Sequence, residues 1–108
     1  MEEEMGKPEV LTIKSTDRPL TGITTVTTAG TAVVLAADQP CSRVYVEAYE
    51  DNTNTVVIGD VNVVAAVATR RGRSLFQTQG DWFNVRNLNQ IFVDAIANGD
   101  KVSWYAEV

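Results

Sequence analysis

A chain of 108 residues with 44% hydrophobic and 21% charged side chains has the size of one domain and the composition of a folded one, which excludes a two-domain layout and disorder throughout. Its formal net charge of −5 and pI of about 4.5 set the average surface against phosphate backbones and anionic headgroups, so neither nucleic acid nor a membrane is expected as a partner. The lack of histidine and the single cysteine, Cys41, exclude a histidine-based triad, histidine-bound zinc, a multi-cysteine zinc site and an internal disulfide framework.

In chain order, residues 1–8 are polar and acidic and end in Gly6-Lys7-Pro8; they bury too little apolar surface to offset their ordering entropy and are expected to form a flexible N-terminal arm ahead of a domain over residues 9–108. The opening has neither the basic flank nor the apolar stretch of a signal peptide, and no apolar run approaches the roughly 20 residues that span a bilayer, so synthesis in a cytoplasm is expected. From Glu9 onward apolar residues recur mostly with period two among abundant Val, Ile and Thr, which predicts strands. The predicted strands fall near residues 10–14, 23–28, 31–36, 43–50, 55–58, 61–68, 74–77, 82–85, 90–96 and 101–108, with turn signals between them. In 43–50 the alternation assigns Val44, Val46 and Ala48 to the core and Tyr45, Glu47 and Tyr49 to the other face. In 101–108 it buries Val102, Trp104, Ala106 and Val108 and shows Lys101, Ser103, Tyr105 and Glu107. Asn98-Gly99 predicts a type I′ hairpin joining the last two strands. Residues 63–68 form a continuous apolar run that periodicity cannot assign between buried strand and short helix, and the flanking β-branched residues favour strand. Together these elements predict an all-β fold, a small antiparallel sandwich or barrel.

Candidate chemistry is sparse. Cys41 has no histidine to lower its pKa and reads as a buried structural thiol. Glu47, Asp94 and Glu107 fall on strand faces expected to be solvated, which argues against a glycosidase-like carboxylate pair. Residues 51–55 lack the glycine and glutamate of a calcium loop and read as a polar turn. No phosphate-binding loop or dinucleotide fingerprint is present. The chain is therefore read as a non-enzyme with no cofactor and no metal. Arg70, Arg71 and Arg73 concentrate positive charge in an acidic protein; they form either a solvated turn or a docking loop suited to a partner's carboxylates. Glu2, Glu3 and Glu4, with the adjoining Met5, are the complement of that loop, and an arm reaching a neighbouring subunit's arginines is the corresponding expectation. Tyr45, Tyr49, Trp82, Phe83 and Tyr105 are read first as core or subunit-contact residues and second as a sugar-stacking platform.

Three stretches carry a resemblance: Thr27-Thr28-Ala29-Gly30-Thr31-Ala32-Val33-Val34-Leu35, then Asn54-Thr55-Val56-Val57-Ile58-Gly59-Asp60, and then residues 87–95 with Asn98-Gly99-Asp100-Lys101-Val102-Ser103. In order and spacing they resemble small virion proteins of tailed bacteriophages over residues 23–105. The resemblance implies a β-sandwich or barrel, self-association with a trimer favoured, and a place on the capsid surface as a decoration or cement protein bound to the major capsid protein. Its alternative is a receptor- or carbohydrate-binding module of a fibre or tail. No catalytic or metal residues come with it.

Overall fold

A computed structural model describes residues 18–108. The predicted arm over residues 1–8 and the predicted strand at 10–14 lie outside the described residues. Among the described residues there are eight strands: β1 (Pro19–Thr25), β2 (Val33–Val34), β3 (Arg43–Ala48), β4 (Val56–Gly59), β5 (Arg73–Leu75), β6 (Gly80–Phe83), β7 (Phe92–Ala95) and β8 (Lys101–Glu107). They form two four-stranded sheets, ordered β1-β8-β3-β6 and β2-β7-β4-β5, with every pair antiparallel. The fold is all-β as predicted, and of the two predicted architectures, sandwich or barrel, it is the antiparallel sandwich.

The alternation in β3 produces its inner face directly, because successive side chains of a strand point to opposite sides. Val44, Val46 and Ala48 are fully buried, as are Val102 and Ala106 of β8. They meet Val56, Ile58, Leu75, Val93 and Ala95 of the second sheet in one core. Trp104 and Val108, predicted as core, are only half-buried and pack against its margin.

The predicted hairpin between the last two strands does not exist. β7 belongs to the second sheet and β8 to the first, so residues 96–100 carry the chain across the sandwich. Gly99 has φ +85°, but Asn98 does not share a positive φ, and a type I′ turn requires one at both central residues. The turn is instead anchored to a third segment: Gly99 N donates to Val26 O, and Ala29 N donates to Asn98 Oδ1. The β3–β4 connection also crosses between sheets, and the predicted polar turn there contains a buried residue. Asn52 is 4% exposed; its Nδ2 donates to Lys101 O and its Oδ1 accepts from Lys101 N, reproducing with a side chain the paired bonds of a β-ladder. Asp100 accepts from Thr53 N and Asn54 N, both at 2.8 Å.

Residues 61–68 form no strand. They contribute one bridge, Val64 with Arg71, and a turn of 3-10 helix over Val67–Thr69. The excursion lies over the outer face of the second sheet, where Val63 and Ala65 pack on Val57 in a separate small core. Val63 and Ala65 are therefore a lid on the second sheet's outer face, while Ala66, Val67 and Ala68 of the same run are exposed; the lid explains why Val56, Val57 and Ile58 are all buried without alternation. Gly72 makes the return possible, since at φ +127° a Cβ would stand 2.8 Å from Val57 Cγ1.

Asp94, predicted to be solvated, is 1% exposed. It stands opposite Val57 on β4, beneath the same lid. Its carboxylate accepts from Gly30 N at 3.0 Å, Ala65 N at 2.9 Å and its neighbour Ala95 N at 2.8 Å, so backbone donors take the place of water.

Candidate interaction surface

The two outer faces of the sandwich differ in kind. The lid covers that of the second sheet. That of the first sheet carries the side chains of opposite parity to the core: Arg43, Tyr45 and Glu47 of β3, Ser103, Tyr105 and Glu107 of β8, Trp82 of β6, and Thr21 and Ile23 of β1. Strand register turns these separate alternations into rows. Tyr45 is opposite Trp82 on one side and Tyr105 on the other, and Arg43 is opposite Glu107.

The aromatic row interlocks edge to face. Tyr45 and Trp82 have ring centroids 5.3 Å apart at 63°, and Trp82 and Tyr105 are 6.4 Å apart at 88°, both arrangements that complement the ring quadrupoles. The Arg43 guanidinium lies 3.9 Å from the Trp82 ring centroid, a cation–π contact. It is held there by two bonds to one carboxylate, Nε to Oε1 of Glu107 at 3.0 Å and Nη2 to Oε2 at 3.3 Å. The hydrogen bond to Arg43, with its charge, holds the Glu107 carboxyl below the usual range, and the same bond raises the Arg43 pKa. Tyr45 lies across Gly80, where a Cβ would overlap its ring. Trp82 and Tyr105 remain 39% and 44% exposed, and Ile23 is 57% exposed.

An open groove of about 420 Å³ runs beside the row, with Tyr45, Glu47, Tyr49, Ser103, Tyr105 and Ile23 along it. Lys101 Nζ lies 4.9 Å from the Tyr49 ring centroid at its end. Glu47 and Asp94 do not form a carboxylate pair here, because Glu47 faces outward on the first sheet and Asp94 is sealed under the lid on the second.

Of the predicted docking residues, Glu2, Glu3, Glu4 and Met5 lie outside the described residues. The three arginines have different local environments. Arg70 turns back on its own loop: its Nε and Nη2 donate to Ala65 O at 3.1 and 2.9 Å, and its Nη1 donates to Ser74 Oγ at 3.2 Å. Arg73 pairs with Asp81 at 3.1 Å, linking the edge strands β5 and β6 of opposite sheets. Arg71 is exposed, and its backbone exchanges two hydrogen bonds with Val64. Cys41 is half-buried rather than fully buried, packs against the core and donates its thiol hydrogen to Val85 O at 3.3 Å; burial pushes its pKa up.

Reading the residues singly missed Arg43. It shares parity with Tyr45, two positions on, so its face was readable, but its contact with Trp82 required the pairing of β3 with β6. No protein-family model, curated protein or solved structure matches this chain.

Proposed function

We propose that this protein is a non-enzymatic structural module of a phage particle, a capsid decoration protein that binds the major capsid protein from outside and stabilises the shell. The observation that carries this reading is the outward row of Trp82, Tyr45 and Tyr105 with Arg43 fixed over Trp82. Tryptophan, tyrosine and arginine are the residue types that concentrate binding energy in protein interfaces. Here they stand on strands of a packed sandwich, so little side-chain freedom remains to be lost on docking. Many copies on a lattice would sum weak contacts of this kind by multivalency. The exposed Arg71 and the acidic residues Glu2, Glu3 and Glu4 are further contacts in this proposal. The resemblance to small virion proteins supports the choice of the capsid as partner.

Mixing the protein with undecorated shells tests the reading. Saturable binding is expected, weakened by Trp82→Ala and Tyr105→Ala; an absence of saturable binding overturns it. A second reading, a carbohydrate-binding module of a fibre or tail, is favoured by the groove that sets Glu47 and Ser103 beside Tyr45, Tyr49 and Tyr105. Against it, Arg43 occupies a face of Trp82 that a sugar ring would use. A glycan array with the Tyr49→Ala variant separates the two readings, since only the second predicts signal lost with Tyr49.

A further inference from the structure

Four strands end the two sheets, and three of those edges are short or charged. β2 has two residues and β5 three, while β5 and β6 are tied by the Arg73–Asp81 ion pair. Short length and charge are two of the devices that keep a sheet edge from pairing with another chain, and proline within the edge is a third, which β1 carries only at its first residue, Pro19. β1 is neither short nor charged. It runs for seven residues, Pro-Leu-Thr-Gly-Ile-Thr-Thr, without a charge, and among the described residues only β8 pairs with it.

The register shows which backbone groups this edge presents. In an antiparallel ladder, alternate residues of a strand direct both N–H and C=O to the same neighbour. Ser42 N donates to Glu107 O and Tyr49 N donates to Lys101 O, whereas Val26 N donates to Asp100 O. Odd-numbered residues of β8 therefore face β3 and even-numbered ones face β1. Their partners across the β1–β8 ladder are Leu20, Gly22 and Thr24. Thr21, Ile23 and Thr25 are thus left directing their N–H and C=O groups away from the sheet.

The geometry points to pairing of β1 with β1 of a second copy, antiparallel about a two-fold axis through Ile23. Ile23 then faces Ile23 of the second copy, and Thr21 faces Thr25. Every outward donor and acceptor meets its counterpart because all three residues share one parity. Pro19, which has no N–H to offer, falls beyond the paired span. Two identical edges with charges at these positions would set like charges together; β1 sets only Thr and Ile together. The exposed Ile23 side chains would meet on the outer face, beside the aromatic row. The two first sheets would become one of eight strands with a continuous face. The inference goes beyond the functional reading above and does not rest on it.

The test is the mass of the isolated full chain, by sedimentation equilibrium over a wide concentration range with no shell protein present. The wild type is expected to form a dimer. Ile23→Pro removes an outward N–H without touching the internal ladder, and edge strands tolerate proline with that orientation. It is expected to weaken the dimer by about tenfold or more while the monomer keeps its melting temperature. Should Ile23→Pro not fold, Ile23→Lys sets like charges across the axis, with the same expectation. Ile23→Cys in a Cys41→Ser background should oxidise to a disulfide-linked dimer, because directly opposed residues of such a pair lie about 5.5 Å apart at Cα, within disulfide range. A wild-type chain that is monomeric throughout, a trimer, or a dimer insensitive to Ile23→Pro and Ile23→Lys overturns the inference. Shell binding plays no part in these measurements, so their failure is separable from that of the decoration reading.

Discussion

Gly22 of β1 stands directly opposite Trp104 of β8, and the indole lies where a Cβ on Gly22 would be. Trp104 Nε1 donates to Thr24 Oγ1 at 3.2 Å, and that hydroxyl donates to Leu35 O, one residue past β2 of the second sheet. A glycine, an indole and a threonine together join the two sheets on the β1 side, as Arg73 and Asp81 join them on the β6 side. Gly22→Ala forces a methyl group into the ring, and overpacking of this kind costs about 1–3 kcal/mol. Chemical denaturation should show that loss at an unchanged m-value.

Asp94→Asn tests the pinning of the lid. The substitution keeps the shape of the side chain but replaces one accepting oxygen with an NH2 group that confronts backbone N–H donors. Oδ1 accepts from Gly30 N and Ala95 N and Oδ2 accepts from Ala65 N, so an amide that keeps its oxygen at the first position leaves Ala65 N without an acceptor and gives Gly30 N a weaker one, at a cost of about 2–3 kcal/mol. Amide hydrogen exchange should rise at Gly30 and Ala65 more than at Val44 or Val102 in the opposite sheet.

The Arg43–Glu107 pair predicts a pH dependence. Its hydrogen bond and charge lower the folded-state pKa of Glu107, so the pair's contribution is fully present above the unfolded value of about 4.3 and is lost as pH falls through the lower folded value. Both side chains are partly exposed, at 44% and 32%, so the effect is small and screened by salt. The melting temperature of the wild type should exceed that of Glu107→Gln at neutral pH and low salt. The difference should vanish in strong acid and shrink in high salt.

Cys41 provides a fourth test. Burial raises its pKa, and its thiol hydrogen is engaged by Val85 O, so little thiolate is available in the folded protein at neutral pH. Alkylation by iodoacetamide should be several-fold slower in the native state than in denaturant. Cys41→Ser should leave shell binding and dimer mass unchanged.

The alternation of residues 43–50 and 101–108 was enough to determine an antiparallel β protein, its inner faces and its outward tyrosines, because strand periodicity is a local property of the chain. Adjacency is not local. Nothing near Asn98-Gly99 shows that β7 and β8 enter different sheets, since one turn serves a hairpin or a crossover and the partners of each strand decide between them. The burial of Asp94 depended in the same way on a lid some thirty positions earlier in the chain, whose Ala65 N–H it accepts. Tertiary structure alone placed Arg43 over Trp82 and left β1 as the long uncharged edge, because both depend on which strands lie side by side. Side-chain type sets what each residue can do, while the order of strands in the sheets selects the residues that do it together.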